Sequence, residues 1–185
     1  MGRDKALMEI GNVPLLLRIA RLLQPLVASV AVIGPPERYP DLGLPIFPDD
    51  RAGLGPLGGI ATALRLSASD WNLVVGCDMP YLNAAWLGYL ISRGVASAAD
   101  AVLPATPRGP EPLCAVYRRS CAPVIAVALA SGVRKITQGL AGLAVEEVAE
   151  PEWEAFDSDG RLFKNVNTPA DYDEARASLE GEAAR

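Results

Sequence analysis

The chain has 185 residues, of which 50% are apolar and 21% are charged, a composition typical of a single globular domain and not of a disordered chain. Its 17 basic and 22 acidic residues give a net charge of −5, which argues against nucleic acid as a partner because neutralising a phosphate backbone needs a basic surface. The sequence contains no histidine, which excludes serine–histidine triads, histidine-bound zinc and imidazole bases.

Short apolar runs alternate with segments of helical period, which predicts an α/β fold with a mainly parallel sheet covered by helices on both faces. The predicted strands, in chain order, are Ser29–Ile33, Leu44–Phe47, Asn72–Gly76, Ala101–Ala105, Leu113–Tyr117 and Ala144–Val148. The predicted helices are Pro14–Leu26, Leu57–Leu66, Ala84–Arg93, Ala122–Ala130, Arg134–Leu140 and Pro169–Leu179. One domain is expected over residues 1–180, followed by a disordered tail at 181–185.

The last predicted helix carries the clearest start signal. Thr168 can cap it, Pro169 suits the first helical position, and Asp171 stands where a capping-box acid would stand.

The three cysteines are widely spaced and form no CxxC pair, which argues against a disulfide framework or a zinc knuckle. A reduced, cytoplasmic location is expected. No stretch of 18 apolar residues occurs, and the opening MGRDK is not followed by an apolar signal region, so no membrane association is expected.

The strand Asn72–Gly76 runs directly into Cys77, Asp78, Met79 and Pro80. This places a carboxylate at the carboxyl end of a buried strand, the edge at which open α/β sheets bind ligands. One carboxylate there can hold Mg²⁺, with water and substrate phosphate completing the coordination. A helix N-cap is the alternative role for Asp78.

The segment from Gly53 to Gly59, GLGPLGG, leads into a helix. Glycines let the backbone approach a ligand closely, and a helix N-terminus offers unpaired N–H groups to an anion. The spacings of the P-loop and of the Rossmann fingerprint are absent, so a simple glycine-rich connection remains the alternative.

Polar residues near both ends of the chain are further candidates. Arg3 and Lys5 could reach phosphate oxygens, although such a charge run is also typical of a solvated terminus. Asn165 and Asn167 precede the last helix, where an amide oxygen can bind a hard metal or simply shape a turn.

Six segments in this order, MGRDKAL, GPLGGI, CDMP, EPLCAVY, GVRK and NVNTPADY, resemble the molybdenum cofactor guanylyltransferase family, MobA, and its nucleotidyltransferase relatives. The resemblance extends from Met1 to about Asp173. It implies a Rossmann-like three-layer sandwich of the nucleotide-diphosphosugar transferase type. The implied reaction joins GMP from GTP to the phosphate of molybdopterin and releases pyrophosphate. Mg²⁺ is the implied cofactor, and molybdoenzyme maturation proteins are possible partners.

The resemblance also implies roles for individual residues. Lys5 and Asp78 would be catalytic, with Asp78 holding the metal. The implied nucleotide-binding residues are Gly2, Arg3, Lys5, Asp49, Gly55, Pro56, Leu57, Gly58 and Asp78. The implied molybdopterin-binding residues are Arg134, Asn165 and Asn167.

Two departures from the family pattern leave alternatives open. The family begins with a strand and a loop of the form LAGGxSxRMG, whereas this sequence starts at the methionine of that loop, so the expected fold lacks its first strand. Ile33 stands where such guanylyltransferases tend to carry an asparagine that helps to recognise the nucleotide. The alternatives are a CTP-dependent molybdopterin cytidylyltransferase, a sugar-phosphate nucleotidyltransferase, or a truncated, non-catalytic nucleotide-binding protein.

Overall fold

A computed structural model describes residues 4–40 and 42–183 of the protein. The strands in these ranges are β1 (Glu9–Ile10), β2 (Val13–Pro14), β3 (Val32–Ile33), β4 (Ile46–Phe47), β5 (Trp71–Val75), β6 (Ala101–Thr106), β7 (Gly109–Pro110), β8 (Cys114–Arg118) and β9 (Val145–Val148). The α-helices are α1 (Leu15–Leu23), α2 (Gly55–Leu66), α3 (Ala84–Ala96), α4 (Cys121–Ala130), α5 (Ile136–Gly139), α6 (Glu150–Glu154) and α7 (Pro169–Ala183). Short 3₁₀ turns occupy Lys5–Leu7 and Pro36–Arg38.

The central sheet has the order β5-β8-β6-β7, and β9 pairs with β6 in parallel. β8 runs antiparallel to both β5 and β6, so the prediction of a mainly parallel sheet is wrong for this region and the sheet is mixed. The reason is the hairpin of β6 and β7, which reverses the chain. A parallel neighbour would have needed a crossover connection of a dozen or more residues.

Alternate residues of the central strands pack on opposite faces of the sheet, as the pleat requires. In β6, Val102 packs with α3 in one core cluster, whereas Ala101 and Leu103 pack with α2 and α4 in the other. Because both faces are covered, these strands appear in the sequence as continuous apolar runs. The α/β fold with helices on both faces of the sheet is therefore confirmed.

The amino-terminal third differs most from the predicted elements. β3 and β4 are shorter than expected and form a parallel pair of their own. β1 and β2 form an unpredicted hairpin that turns at Gly11 and Asn12, both with a φ of 59°, as hairpin turns prefer. No strand in the described ranges pairs with the free edge of β5. The expectation about a strand that would precede Met1 stays a prediction.

Several helix boundaries also differ from the sequence interpretation, including those of α2 and α7. α2 begins at Gly55, so the residues GPLGG form its first turns and not a loop before it. α7 continues to Ala183, past the predicted end at Leu179, and residues 184 and 185 lie outside the described ranges. Throughout the described ranges, every helix lacks the length and hydropathy that a membrane crossing requires.

Candidate functional site

The carboxyl end of β5 positions Asp78. The strand's last hydrogen bond to its neighbour runs from Gly76 N to Leu113 O, at 2.7 Å. A Cβ placed on Gly76 would lie only 2.9 Å from Asp78 Oδ1, so the carboxylate folds back over the Gly76 backbone. Only glycine permits this close approach. Asp78 is thus held at the edge of the sheet, where the sequence predicted a ligand.

The segment Asn165–Asn167 lies directly against Asp78. The backbone N–H of Val166 donates to Asp78 O at 2.8 Å, and the Val166 side chain is buried below it. Asn165 Oδ1 is buried and accepts no hydrogen bond from any described residue. Since buried polar atoms are nearly always paired, an orphaned carbonyl oxygen in a segment that contacts Asp78 points to a partner beyond the described residues, such as a cation.

The start of α7 fixes the backbone of this segment. Asp171 Oδ2 accepts hydrogen bonds from the N–H groups of Asn167 and Thr168, while Thr168 Oγ1 accepts one from Asp171 N. The predicted capping arrangement is therefore confirmed. Hydrogen bonding with the Thr168 side chain, followed by the backbone N–H groups of Thr168 and Asn167, lowers the pKa of the Asp171 carboxyl.

Lys5 reaches this place from the other end of the chain. It begins the 3₁₀ turn Lys5–Leu7, and its Nζ donates to Asn167 Oδ1 at 2.6 Å. The structure therefore brings together Lys5, Asp78, Asn165 and Asn167, four residues that the sequence analysis singled out separately. These four residues lie on segments that contact one another at the carboxyl edge of the sheet, and together they are called the polar group.

The glycine turn and Asp49 lie at the start of α2. Asp49 Oδ1 is 3.6 Å from the position that a Cβ on Gly59 would take. Burial, and to a smaller extent the charge of Asp50, raises the pKa of Asp49. Leu57 is fully buried in the core, so a ligand at this turn could contact only its backbone. Asp50 itself is held by Arg65, with Nε 2.7 Å from Oδ2.

Another predicted site residue, Arg134, makes its hydrogen bonds at the end of α4. The Arg134 guanidinium donates to Leu129 O and Val133 O, at 3.1 and 2.8 Å, and so caps the end of α4. Gly2 and Arg3 lie outside the described residues.

The sequence analysis missed the acid Glu111, which belongs to the segment EPLCAVY. Its carboxyl is partly buried, and burial is the main cause of its raised pKa; the Arg108 charge lowers this pKa and the Asp78 charge raises it. Arg108 in turn donates to Phe163 O at 2.9 Å, two residues before Asn165. The available signal was an acid between two prolines, which does not show that Glu111 lies within the electrostatic influence of Asp78.

Cys77 lies beside this group and is not suited to be a nucleophile. Burial, followed by the nearby charges of Asp78 and Asp4, raises the pKa of its thiol to about 11. The thiol therefore stays protonated at neutral pH, and a protonated thiol is a poor nucleophile and metal ligand.

The donor set favours a hard cation bound by few protein groups. No cluster of three or more Cys, Asp or Glu side chains able to hold a metal occurs in residues 4–40 and 42–183. The oxygens of Asp78 and Asn165 are nevertheless the kind of ligand that Mg²⁺ accepts when phosphates and water complete its octahedron.

The chain is similar to a known protein family and to individual relatives over most of its length. The model described as "MobA-like NTP transferase domain" matches residues 1–146. A protein of Pelotomaculum thermopropionicum named "Probable molybdenum cofactor guanylyltransferase" is 34% identical over 181 residues, which are 97% of this chain and 87% of the relative.

Solved structures give the same result for the fold. Molybdopterin-guanine dinucleotide biosynthesis protein A from Archaeoglobus fulgidus superposes with a TM-score of 0.84 at 26% identity, covering 97% of this chain and 92% of that one. The 2-C-methyl-D-erythritol 4-phosphate cytidylyltransferase from Thermus thermophilus superposes with a TM-score of 0.73 at 18% identity, covering 95% and 94% of the two chains, a likeness of fold alone.

Proposed function

This chain belongs to the family of MobA-like NTP transferase domains, and we propose that it transfers GMP from GTP to the phosphate of molybdopterin. The observation that carries the proposal is the meeting of Lys5, Asp78, Asn165 and Asn167 at one edge of the sheet. This polar group combines a cation for phosphate oxygens with oxygen donors for a metal, as a nucleotidyltransferase requires.

The reaction is a displacement at phosphorus. An oxygen of the molybdopterin phosphate forms a bond to the α-phosphorus of GTP, and the bond from that phosphorus to the oxygen bridging to the β-phosphate breaks. Pyrophosphate leaves with the electron pair. Because the attacking phosphate is already anionic at neutral pH, no general base is needed, which agrees with a chain that has no histidine.

Lys5 binds phosphate oxygens and stabilises the charge that grows on the leaving pyrophosphate. An ammonium group has three N–H donors. Lys5 can therefore keep its hydrogen bond to Asn167 Oδ1 while it donates to a phosphate. Asn167 then acts as the orienting partner of the lysine.

Asp78 and Asn165 are the residues that would hold Mg²⁺, because one offers a carboxylate and the other a buried oxygen without a partner among the described residues. When bound, Mg²⁺ supplies charge neutralisation and a template for the phosphate oxygens. The chain's net charge of −5 repels both anionic substrates, so we expect activity to depend completely on a divalent cation.

The two substrates occupy opposite sides of this edge in the proposal. Asp49 and the backbone of Gly55, Pro56, Leu57 and Gly58 contact the nucleoside, while Asn165 and Asn167 face the pterin side. A pterin contact of Arg134 stays a prediction, because this residue makes its hydrogen bonds at the end of α4, which packs with α2. The Ile33 side chain offers a base only apolar contact, so the choice between GTP and CTP needs a direct test. A cytoplasmic location and contact with molybdoenzyme maturation proteins stay predictions.

The proposal is tested by incubating the purified protein with molybdopterin and either GTP or CTP, with and without Mg²⁺. We expect pyrophosphate and the guanine dinucleotide to form only with GTP and Mg²⁺. Product from CTP alone would identify a cytidylyltransferase. Calorimetric binding of GTP without any pyrophosphate release would identify a non-catalytic nucleotide-binding protein.

A further inference from the structure

The carboxylate of Asp4 connects the turn that carries Lys5 to a buried tyrosine. Asp4 Oδ1 accepts a hydrogen bond from Ala6 N at 3.1 Å and so caps the 3₁₀ turn. Asp4 Oδ2 accepts a hydrogen bond from Tyr39 Oη at 2.9 Å. The two oxygens of one carboxylate thus link the backbone of the lysine turn to a residue 35 positions away.

The Tyr39 side chain is held in place by close packing. It is buried and packs with Ala6 and Leu16 in one apolar cluster. A Cβ on Gly34 would lie 3.3 Å from Tyr39 Cε2, so the ring also lies close against the backbone there. Burial and the hydrogen bond to Asp4 raise the pKa of Tyr39 to about 12, so its hydroxyl remains a donor at neutral pH.

The other polar side-chain contacts of the lysine turn constrain it less. Arg38 lies 3.8 Å from Asp4 Oδ2, but its side chain is 65% exposed, and exposed ion pairs hold geometry weakly. At its far end, the Lys5 ammonium makes an exposed hydrogen bond to Asn167. The hydroxyl of Tyr39 is therefore the most deeply anchored polar contact of the turn.

We propose that Tyr39 is a positioning residue, whose hydroxyl acts through Asp4 to hold the Lys5 ammonium in place for the substrate phosphates. This inference rests on the proposed function for the role of Lys5. Lysine has a flexible four-carbon stem, so its placement depends on the backbone turn that carries it. A displacement of about 1 Å at such a group can lower turnover by ten- to a hundredfold.

The first experiment is a double-mutant cycle with the full chain, comparing turnover in Tyr39→Phe, Lys5→Ala and the double variant. We expect Tyr39→Phe to lower turnover about tenfold in the wild-type background and to have no further effect in the Lys5→Ala background, because coupled residues are not additive. Equal losses in both backgrounds would show that Tyr39 does not act through Lys5 and would overturn the inference.

Tyr89→Phe is the matched control. Tyr89 Oη donates to Glu152 Oε2 at 2.6 Å, which is the same kind of hydrogen bond in a different part of the molecule. We expect this variant to keep wild-type turnover. If it loses as much turnover as Tyr39→Phe, the loss is a general consequence of removing a tyrosine hydroxyl and the inference is wrong.

A second readout does not depend on enzymatic activity. The sequence contains three lysines, Lys5, Lys135 and Lys164, so carbon-13 dimethylation gives three lysine signals that NMR can resolve. The Lys5 signal is identified by its absence in Lys5→Ala. We expect Tyr39→Phe to move the Lys5 signal alone and Tyr89→Phe to leave it unchanged.

The two readouts separate failure of this inference from failure of the proposed function. If the protein does not transfer GMP but Tyr39→Phe still moves the Lys5 signal, the reaction is wrong and the positioning contact stands. A Lys5 signal that does not respond to Tyr39→Phe overturns the positioning contact whatever the reaction is.

Discussion

The central sheet and the rim of the site, which is formed by Lys5, Asp78, Asn165 and Asn167, are held together in different ways. In the sheet, Leu103 of β6 and Val116 of β8 are both 2% exposed and pack between helices on two faces. At the rim, the contact between Lys5 and Asn167 joins residues 162 positions apart through one exposed hydrogen bond. The sheet is held by many apolar contacts, whereas the rim depends on a few directional ones.

This difference separates stability from activity. Burial of apolar surface is non-directional and adds up over many groups, so the sheet supplies most of the free energy of folding. A hydrogen bond contributes only about 1 kcal/mol net, but it fixes an atom in one place. Substitutions in the sheet should therefore change the free energy of unfolding, and substitutions at the rim should change turnover.

The largest expected effect is a loss of stability when a core residue that packs against the sheet is truncated. Leu90 of α3 is fully buried against the sheet, so Leu90→Ala should lower the free energy of unfolding by about 2–5 kcal/mol through lost burial and a cavity. Urea unfolding measures the loss. Turnover per folded molecule should stay at the wild-type value, and a large drop in it would show that core and rim are not separable.

The second-largest expected effect is a loss of turnover when a rim residue is replaced. Asp78→Ala should lower turnover about a hundredfold or more, because it removes the strand-end carboxylate to which the proposed function assigns the metal. Steady-state pyrophosphate release measures the loss, and urea unfolding should show a nearly unchanged stability. Unchanged turnover would remove Asp78 from the mechanism.

Asp70→Ala is the matched control for this prediction. Asp70 precedes the amino end of β5, and its carboxylate, 67% exposed, pairs with Arg118 at 2.7 Å. An exposed ion pair of this kind is worth about 0–1 kcal/mol, so turnover should not change and stability should change little.

The smallest expected effect concerns the hydrogen bonds that hold Asn167. The pKa of Asp171 is lowered from its ordinary value of 3.8, so the folded state favours the charged carboxylate. The stabilisation that the Asp171 carboxylate provides is fully present at pH values above its ordinary pKa. This stabilisation is lost as the pH falls through the lowered pKa of the folded state. Asp171→Asn should therefore reduce stability at neutral pH, and the difference from wild type should shrink in strong acid.

Denaturant unfolding of both proteins at neutral and strongly acidic pH measures this difference. Asp173→Asn, which changes an exposed acid on the same helix, is the control and should behave like wild type at both pH values. A constant difference between Asp171→Asn and wild type across this range would contradict the assignment of the stabilising charge to Asp171.

Much of the fold could be predicted because its signals are local. The apolar runs of β5, β6, β8 and β9 and the helical period of α2, α3 and α4 mark elements within a few residues of their observed bounds. Thr168 and Asp171 indicated the start of α7 because a helix cap is formed by neighbours in the chain. The predicted position of Asp78 at a strand end follows from the same local logic.

Short and reversed elements were harder to predict. The hairpin of β1 and β2 has only two residues in each strand, too few to show alternation, although Gly11 and Asn12 carry its turn signal. The antiparallel direction of β8 could not be read from its residues, because a strand buried on both faces has the same apolar pattern in either direction.

By itself, the sequence determined the layered α/β architecture, the acid at the end of β5 and the separate polar segments at the two ends of the chain. Only the tertiary structure decided that Lys5 reaches Asn167, that Val166 lies against Asp78 and that Tyr39 holds Asp4. Helices, caps and strands follow from residues near one another in the chain, which leave a readable pattern. A hydrogen bond between distant residues leaves no such pattern, because it exists only after the packed sheet has brought its donor and acceptor together.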